Sequence, residues 1–177
     1  LRLDHHDVYL LHWRGGVPLA ETVDAMERLR ERGLIRRWGV SNFDVDDLDE
    51  LLAAGGAACC TNQVYYSLGQ RGVEFDLLPW QRQRAMPLMA YCPLDQGERA
   101  RDPRLRPLAE RHGATPAQIP LAWVLAQPGV IAIPKAASPE HLQRNVAAAN
   151  LVLGADDLAE LDRLYPPPRA KQPLAIV

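Results

Sequence analysis

A parallel α/β fold is predicted by three features of the chain. Short apolar runs recur along it, helical patterns separate them, and the runs are continuously apolar where a half-exposed strand would alternate. Parallel neighbours need long crossovers, and strands buried on both faces read as unbroken apolar runs. With 177 residues, 47% hydrophobic and 24% charged, the chain is sized for one core and one domain.

The first run, Val8-Tyr9-Leu10-Leu11-His12-Trp13, reads as a buried strand that ends in an imidazole and an indole before Arg14-Gly15-Gly16. Reactive side chains in parallel architectures collect at the carboxyl ends of strands, where the following loops leave a crevice. His12 is therefore the first catalytic candidate. Beginning at Leu1 without an initiator Met and reaching a strand so early, the chain is expected to be an excerpt of a longer one. Pro18 then opens a helix whose apolar residues Leu19, Val23, Met26 and Leu29 fall at helical spacing up to Gly33.

Trp38 to Phe43 form the second run, and Asp44 follows as an N-cap with Asp46 and Asp47 in the first turn of a helix toward Gly55-Gly56. Thr61 to Tyr66 are the third. Asp76 caps a helix with Pro79 in its first turn. Pro87 to Leu94 supply the fourth run, followed by a charged loop from Asp95 to Arg101 and a helix opened by Asp102-Pro103 and closed by Gly113. Thr115-Pro116 with Gln118 resembles a capping box for a helix through Trp123, in which Pro120 should delete a hydrogen bond and kink the first turns. Val130 to Lys135 are the fifth run. Ser138-Pro139-Glu140 starts a helix with a capping hydroxyl, a first-turn proline and an early acid. Gly154 precedes a last helix that Pro166-Pro167-Pro168 stops near Tyr165, leaving a tail from Arg169 to Val177 extended over the surface.

Composition excludes several partner classes. Twenty Lys+Arg against twenty-two Asp+Glu give a net charge of −2, which offers no attraction for nucleic acid or an anionic membrane surface. No apolar stretch approaches the roughly 20 residues that span a bilayer. Cys59, Cys60 and Cys92 are an odd count without metal-ligand spacing and read as buried thiols of a reducing compartment, so no metal site and a cytoplasmic protein are expected.

Two architectures fit five such units, an open doubly wound sheet and part of a (β/α)8 barrel. No GxGxxG or phosphate-loop signature follows any strand. Polar or aromatic residues do recur where each run ends, namely His12, Ser41-Asn42, Gln63, Tyr91 and Lys135, as a barrel's carboxyl face requires. Each alone has a structural role open to it: a hydrogen-bonded histidine, helix-entry chemistry at Ser41-Asn42, backbone satisfaction by Gln63, a core ring, a solvated lysine. Together they suit a cofactor pocket. A carboxamide ring needs amide and hydroxyl partners and an aromatic platform, and a phosphate needs a cation near a helix amino end, which Lys135 ahead of Ser138 supplies.

His12 in Leu10-Leu11-His12-Trp13, Gly39-Val40-Ser41-Asn42-Phe43, Asn62-Gln63-Val64, Ala90-Tyr91-Cys92-Pro93-Leu94 and Ile133-Pro134-Lys135 resemble the aldo-keto reductase family. The tail Pro166-Pro167-Pro168-Arg169 is similar to its bacterial methylglyoxal reductase-like and diketogluconate reductase-like branch. The resemblance implies a (β/α)8 barrel of about 250 residues, here an incomplete one with about five of eight strands and exposed edges that favour self-association. It implies NADPH-dependent reduction of an aldehyde or ketone by a tetrad of Asp, Tyr, Lys and His, with NADH left open as cofactor. His12 corresponds to the tetrad histidine, which orients the carbonyl, and Trp13 to a substrate contact. The other three tetrad residues fall on strands ahead of this stretch, so the fragment alone is expected to be inactive.

By the same resemblance Ser41, Asn42 and Gln63 hold the nicotinamide carboxamide, Tyr91 stacks on the ring, Leu94 and Ile133 belong to the pocket, and Lys135, Ser138 and Asn145 bind the adenosine phosphate end. Four positions depart from the family pattern. Cys92 replaces a usual serine, Asp95 a glycine, Ala136 a hydroxyl near the 2′-phosphate and His141 an arginine clamp, for which Arg144 one turn on compensates. Two rival readings are a non-catalytic nicotinamide-binding module and an unproductive barrel fragment.

Overall fold

The computed structural model describes residues 3–177. Its centre is a parallel sheet of five strands in sequential order: β1 (His6–Leu11), β2 (Ile35–Ser41), β3 (Cys59–Tyr65), β4 (Leu88–Tyr91) and β5 (Val130–Ala132). Each crossover carries helix: α1 (Leu19–Glu31), α2 (Val45–Ala53), α3 (Leu77–Gln83), then α4 (Arg106–Arg111) and α5 (Gln118–Leu125) together. Beyond β5 come α6 (Pro139–Ala147) and α7 (Ala155–Leu164). Sequential parallel order with one crossover between neighbours is barrel connectivity, and the described strands form an open arc of it.

Register assigns the two faces. Trp38, Val40, Val64, Leu88 and Ala90 point to the helix side and are almost completely buried, with Phe43, Leu48, Leu51, Leu105, Leu108 and Trp123 completing the core. The other face carries Ser41, Gln63 and Met89 in direct register, with Tyr65 beside Tyr91 two positions on. That face is only partly covered, so the burial of β4 alternates and Ile131 is exposed while Val130 and Ala132 pack on the core.

The first run is an edge strand, contrary to the buried strand expected. Val8 and Tyr9 are 40% and 47% exposed, because β1 pairs with β2 alone among the described residues. Gly39 of β2 permits a close approach to β3: a Cβ there would lie 2.5 Å from the Thr61 carbonyl oxygen and 2.8 Å from Leu10 Cδ2. A backbone oxygen in a ladder cannot give way, so Gly39→Ala is expected to cost about 3 kcal/mol, the upper end for overpacking. Urea denaturation checks this, and an unchanged midpoint would remove the proposed close approach.

Local signals act as the sequence dictates at most helix starts. Asp44 and Asp47 form a reciprocal capping box, with Val45 N to Asp44 Oδ1 at 2.8 Å and Asp44 N to Asp47 Oδ2 at 3.0 Å. Ser138 Oγ accepts from the His141 amide at 3.2 Å, and Asp102 Oδ1 from the Arg104 amide at 3.0 Å. Pro120 does no damage. Helix α5 begins only at Gln118, so the proline sits in the first turn, where its missing N–H has no intrahelical acceptor to lose. Asp76 does not cap α3, because its carboxylate pairs with Lys171. Lys171 also reaches Asp44, both contacts at 2.6 Å, and so pins the irregular tail against the amino ends of α2 and α3.

Candidate functional site

The carboxyl ends of the strands bring most of the predicted residues together. Asn42 is left-handed, at φ 60°, a conformation that asparagine adopts more readily than bulkier residues. This kink ends β2 and turns the Asn42 amide across the sheet: Nδ2 donates to the His12 carbonyl at 3.3 Å and to Ser41 Oγ at 3.1 Å. Its Oδ1 accepts from the Tyr91 hydroxyl at 3.1 Å. Ser41 Oγ donates in turn to the Gln63 carbonyl at 2.8 Å, and Gln63 Nε2 rests 3.0 Å from Met89 Sδ. His12, Ser41, Asn42, Gln63 and Tyr91, each from a strand end or the residue beyond it, are thereby one connected group.

Asn62 holds that turn from beneath. Fully buried, it donates to the Phe43 carbonyl at 2.8 Å and accepts from the Phe43 amide, closing the corner between β2 and α2. Tyr91 stands 5.4 Å from the Tyr65 ring, which fixes its tilt, and its hydroxyl also meets the Ala175 carbonyl at 3.5 Å. Burial, with Cys92 alongside, pushes the Tyr91 phenol up from its ordinary value, so it remains a hydrogen-bond donor at neutral pH. The Cys92 thiol is pushed up as well, by burial and by Asp95, and stays protonated.

Beside Tyr91 opens a cavity of about 700 Å³ between the loop after β4 and the segment leading into α6. Cys92 and Leu94 line one side, with Ile133, Lys135, His141, Arg144 and Asn145 on the other. Ala136 and Ser138 are not in its wall, Ser138 being engaged as the α6 cap. Trp13 is not brought to this cavity. It stands in a separate groove with Tyr9, Leu11 and α1, its ring 5.8 Å from that of His12. Gln96, Gly97, Ala100 and Arg101, on the charged loop, line the cavity without having been singled out by sequence. Among the described residues no group of three or more His, Cys, Asp and Glu side chains is placed to hold a metal, and no helix is long and apolar enough to cross a membrane.

The loop itself is strained and tethered. Cys92, Asp95 and Gln96 all have positive φ, near 48°, 49° and 53°, each costing of the order of 1 kcal/mol. Asp95 offsets this. Only 5% exposed, its carboxylate accepts from the Ser67 hydroxyl and, at 3.2 Å, from the Tyr65 hydroxyl. Arg99 Nε lies 2.8 Å from Asp95 Oδ2 but off the N–H axis, making an ion pair without an aligned hydrogen bond. Arg99 also pairs with Asp102, which accepts from the Tyr165 hydroxyl at 2.6 Å. The β4 loop is thus tied to β3 at one end and to the end of α7 at the other.

The donor set fits a nicotinamide dinucleotide. The cavity has the volume of a cofactor site. Its wall presents the Tyr91 ring, whose hydroxyl bonds to Asn42, and Lys135 just ahead of the amino end of α6, with Arg144 from the last turn of that helix; Ser41, Asn42 and Gln63 lie outside its lining. Comparison with known proteins agrees with this chemistry. The family model "Aldo/keto reductase family" matches residues 1–166. The chain is 49% identical to the methylglyoxal reductase YeaE of Escherichia coli, over 100% of its own length and 64% of the relative's. It is 35% identical to a glyoxal reductase of Bacillus subtilis, covering 93% of this chain and 58% of that one. The structure superposes on an aldo-keto reductase of Klebsiella pneumoniae crystallised with NADPH, with a TM-score of 0.94, 54% identity, and coverage of 98% and 63%. The chain therefore spans a little less than two thirds of the length of these relatives. The five-stranded arc is part of the barrel they share, and the chain belongs to the aldo/keto reductase family.

Proposed function

We propose that residues 1–177 are part of a single oxidoreductase domain that reduces small aldehydes or ketoaldehydes with a nicotinamide cofactor, NADPH before NADH. The observation that carries this reading is the hydrogen-bonded group of Ser41, Asn42, Gln63 and Tyr91, joined through Tyr91 to a cavity that Lys135 also lines. The reductases of methylglyoxal and glyoxal among the relatives support the substrate class, and the neighbour crystallised with NADPH supports the cofactor.

In this reading Ser41, Asn42 and Gln63 orient the carboxamide, and Tyr91 keeps the ring flat by offset packing. When bound, the reduced nicotinamide supplies hydride to the carbonyl carbon. His12 holds the carbonyl in line for it, with the His12 backbone fixed by the Asn42 amide. Lys135, Arg144 and Asn145 neutralise and orient the phosphate end. The free thiols Cys59, Cys60 and Cys92 support a reducing, cytoplasmic location; burial pushes Cys59 up to about 12. Exposed apolar side chains on both outer strands, among them Val8 and Ile131, support self-association wherever those strands lack a neighbour.

The test is a titration of NADPH and NADH against the complete polypeptide and against residues 1–177, followed by nicotinamide fluorescence, with consumption on methylglyoxal in parallel. Binding by both with turnover confined to the complete polypeptide is the expected result. Binding without turnover in both would favour a non-catalytic nicotinamide-binding module. Absence of binding in both would eliminate the pocket.

A further inference from the structure

We infer that Arg14 is a positioning residue for carbonyl reduction: it clamps the segment just beyond His12 onto the first turns of α2 and so fixes where the imidazole stands. The inference rests on the reductase reading above and adds to it a residue that lies outside the cofactor cavity.

Leu11 is the last residue of β1 paired with β2, so His12 stands just beyond the support of the sheet. It is held through its carbonyl, which accepts from Asn42 Nδ2 at 3.3 Å, and by the Trp13 ring 5.8 Å away. The residues that follow add no packing. A Cβ at Gly15 or Gly16 would meet nothing within 4 Å, and glycine leaves the chain its widest conformational freedom. Arg14 supplies the restraint. Its Nη1 donates to Asp47 Oδ1 at 2.7 Å and its Nη2 to Glu50 Oε2 at 2.6 Å. These acceptors stand one turn apart on α2, so the planar guanidinium spans both, which the point charge of an ammonium does not.

The anchor is itself fixed. Asp47 Oδ2 accepts from the Asp44 amide in the capping box, which leaves Oδ1 for Arg14, and Asp44 is held in turn by Lys171. The same corner reaches the site by a second path. Asn42, two residues ahead of Asp44, bonds both the His12 carbonyl and the Tyr91 hydroxyl. His12 is therefore tied to the β2–α2 corner at its own carbonyl and again two residues on, and that corner also carries the hydrogen bond to Tyr91. Exposed ion pairs contribute little to folding stability, and the side chains of Arg14, Asp47 and Glu50 are all partly exposed. The clamp acts on position. A misplacement of about 1 Å at a reacting centre can cost of the order of 100-fold in rate, so a contact worth little to the fold has a large effect on turnover.

The experiment compares the complete polypeptide with its Arg14→Met and Arg14→Lys variants in three measurements: methylglyoxal and glyoxal reduction at saturating NADPH, NADPH affinity by nicotinamide fluorescence, and thermal melting. Arg14→Met should lower kcat/KM by about tenfold or more, with most of the loss in kcat. Its NADPH affinity and melting temperature should stay at the wild-type values, because Arg14 is not in the cavity wall and its ion pairs are partly exposed. Arg14→Lys, which reaches one carboxylate at a time, should recover part of kcat. Added salt should lower the wild-type kcat toward that of Arg14→Met and leave the variant nearly unchanged, since it screens partly exposed pairs. Wild-type kcat/KM in Arg14→Met would overturn the inference and leave the reductase reading intact. So would a joint loss of turnover, NADPH affinity and melting temperature, which would make Arg14 a general stabiliser. A wild type that binds no NADPH, or binds it and reduces neither aldehyde, would remove the reductase reading itself, and this inference with it.

Discussion

Replacing Arg99 by methionine should lower stability by about 3 kcal/mol, the cost of leaving a buried carboxylate without its cation. Asp95 is 5% exposed, and after the change it keeps only the Ser67 and Tyr65 hydroxyls. Burial, reinforced by Asp95 itself, pushes the Tyr65 phenol up, so tyrosine donates to that carboxylate and cannot relieve its charge by ionising near neutral pH. The partner substitution, Asp95→Gly, removes the buried charge and releases the positive-φ strain at the same position. The double variant should therefore be more stable than Arg99→Met alone. A double-mutant cycle in urea measures this, and additive effects would show that the ion pair is not the coupling element.

The same latch has a pH signature. Arg104 holds the Asp102 carboxyl well below the usual carboxylate range, against the opposing effect of burial, and the Tyr165 hydroxyl adds to it. A carboxyl whose folded value is depressed contributes its full stability above the ordinary carboxylate pKa and loses it as pH falls toward the depressed value. Wild type and Asp102→Asn should thus differ most near neutral pH, by about 2 kcal/mol, and converge in strong acid. Denaturation midpoints across the acid range check the sign.

The second large effect concerns the far wall of the cavity. Lys135→Ala should weaken NADPH binding by about 10- to 100-fold, the range for a charge-assisted phosphate contact, and weaken NADH less if the ammonium serves the adenosine phosphate. Stability should not change, because Lys135 is exposed and unpaired among the described residues. Added salt should reduce wild-type affinity more steeply than that of the variant, since the lost contact is between partly exposed charges. Equal weakening of both cofactors would place Lys135 on the diphosphate instead. Wild-type affinity in the variant would take the cation out of the site.

The succession of strands along the chain, the crossover helices and most helix starts were legible because they depend on residues within a few positions of each other, whereas the order of the strands in the sheet did not follow from the residues until the structure paired them. Asp44 and Asp47 close their capping box across one turn, and Ser138 reaches His141 over the same distance. Polar residues at strand ends pointed to a common face, since parallel strands direct all carboxyl ends one way, and the structure joins His12, Ser41, Asn42, Gln63 and Tyr91 there. Other features had no local signal. Nothing near Asp95 in the chain shows that Ser67 and Tyr65 will surround it, or that Ala175 will return to Tyr91. Trp13 follows His12 directly, yet stands in the groove against α1.

By itself, then, the sequence determined the parallel α/β class, the succession of units and the set of side chains available at the strand ends, because periodicity and capping are short-range properties. Only the tertiary structure decided which charges are buried and paired, which remain open to a ligand, and which face each strand leaves uncovered. Those outcomes depend on burial and on distances between residues far apart in the chain, and the strength of a charge contact changes several-fold with the water it loses.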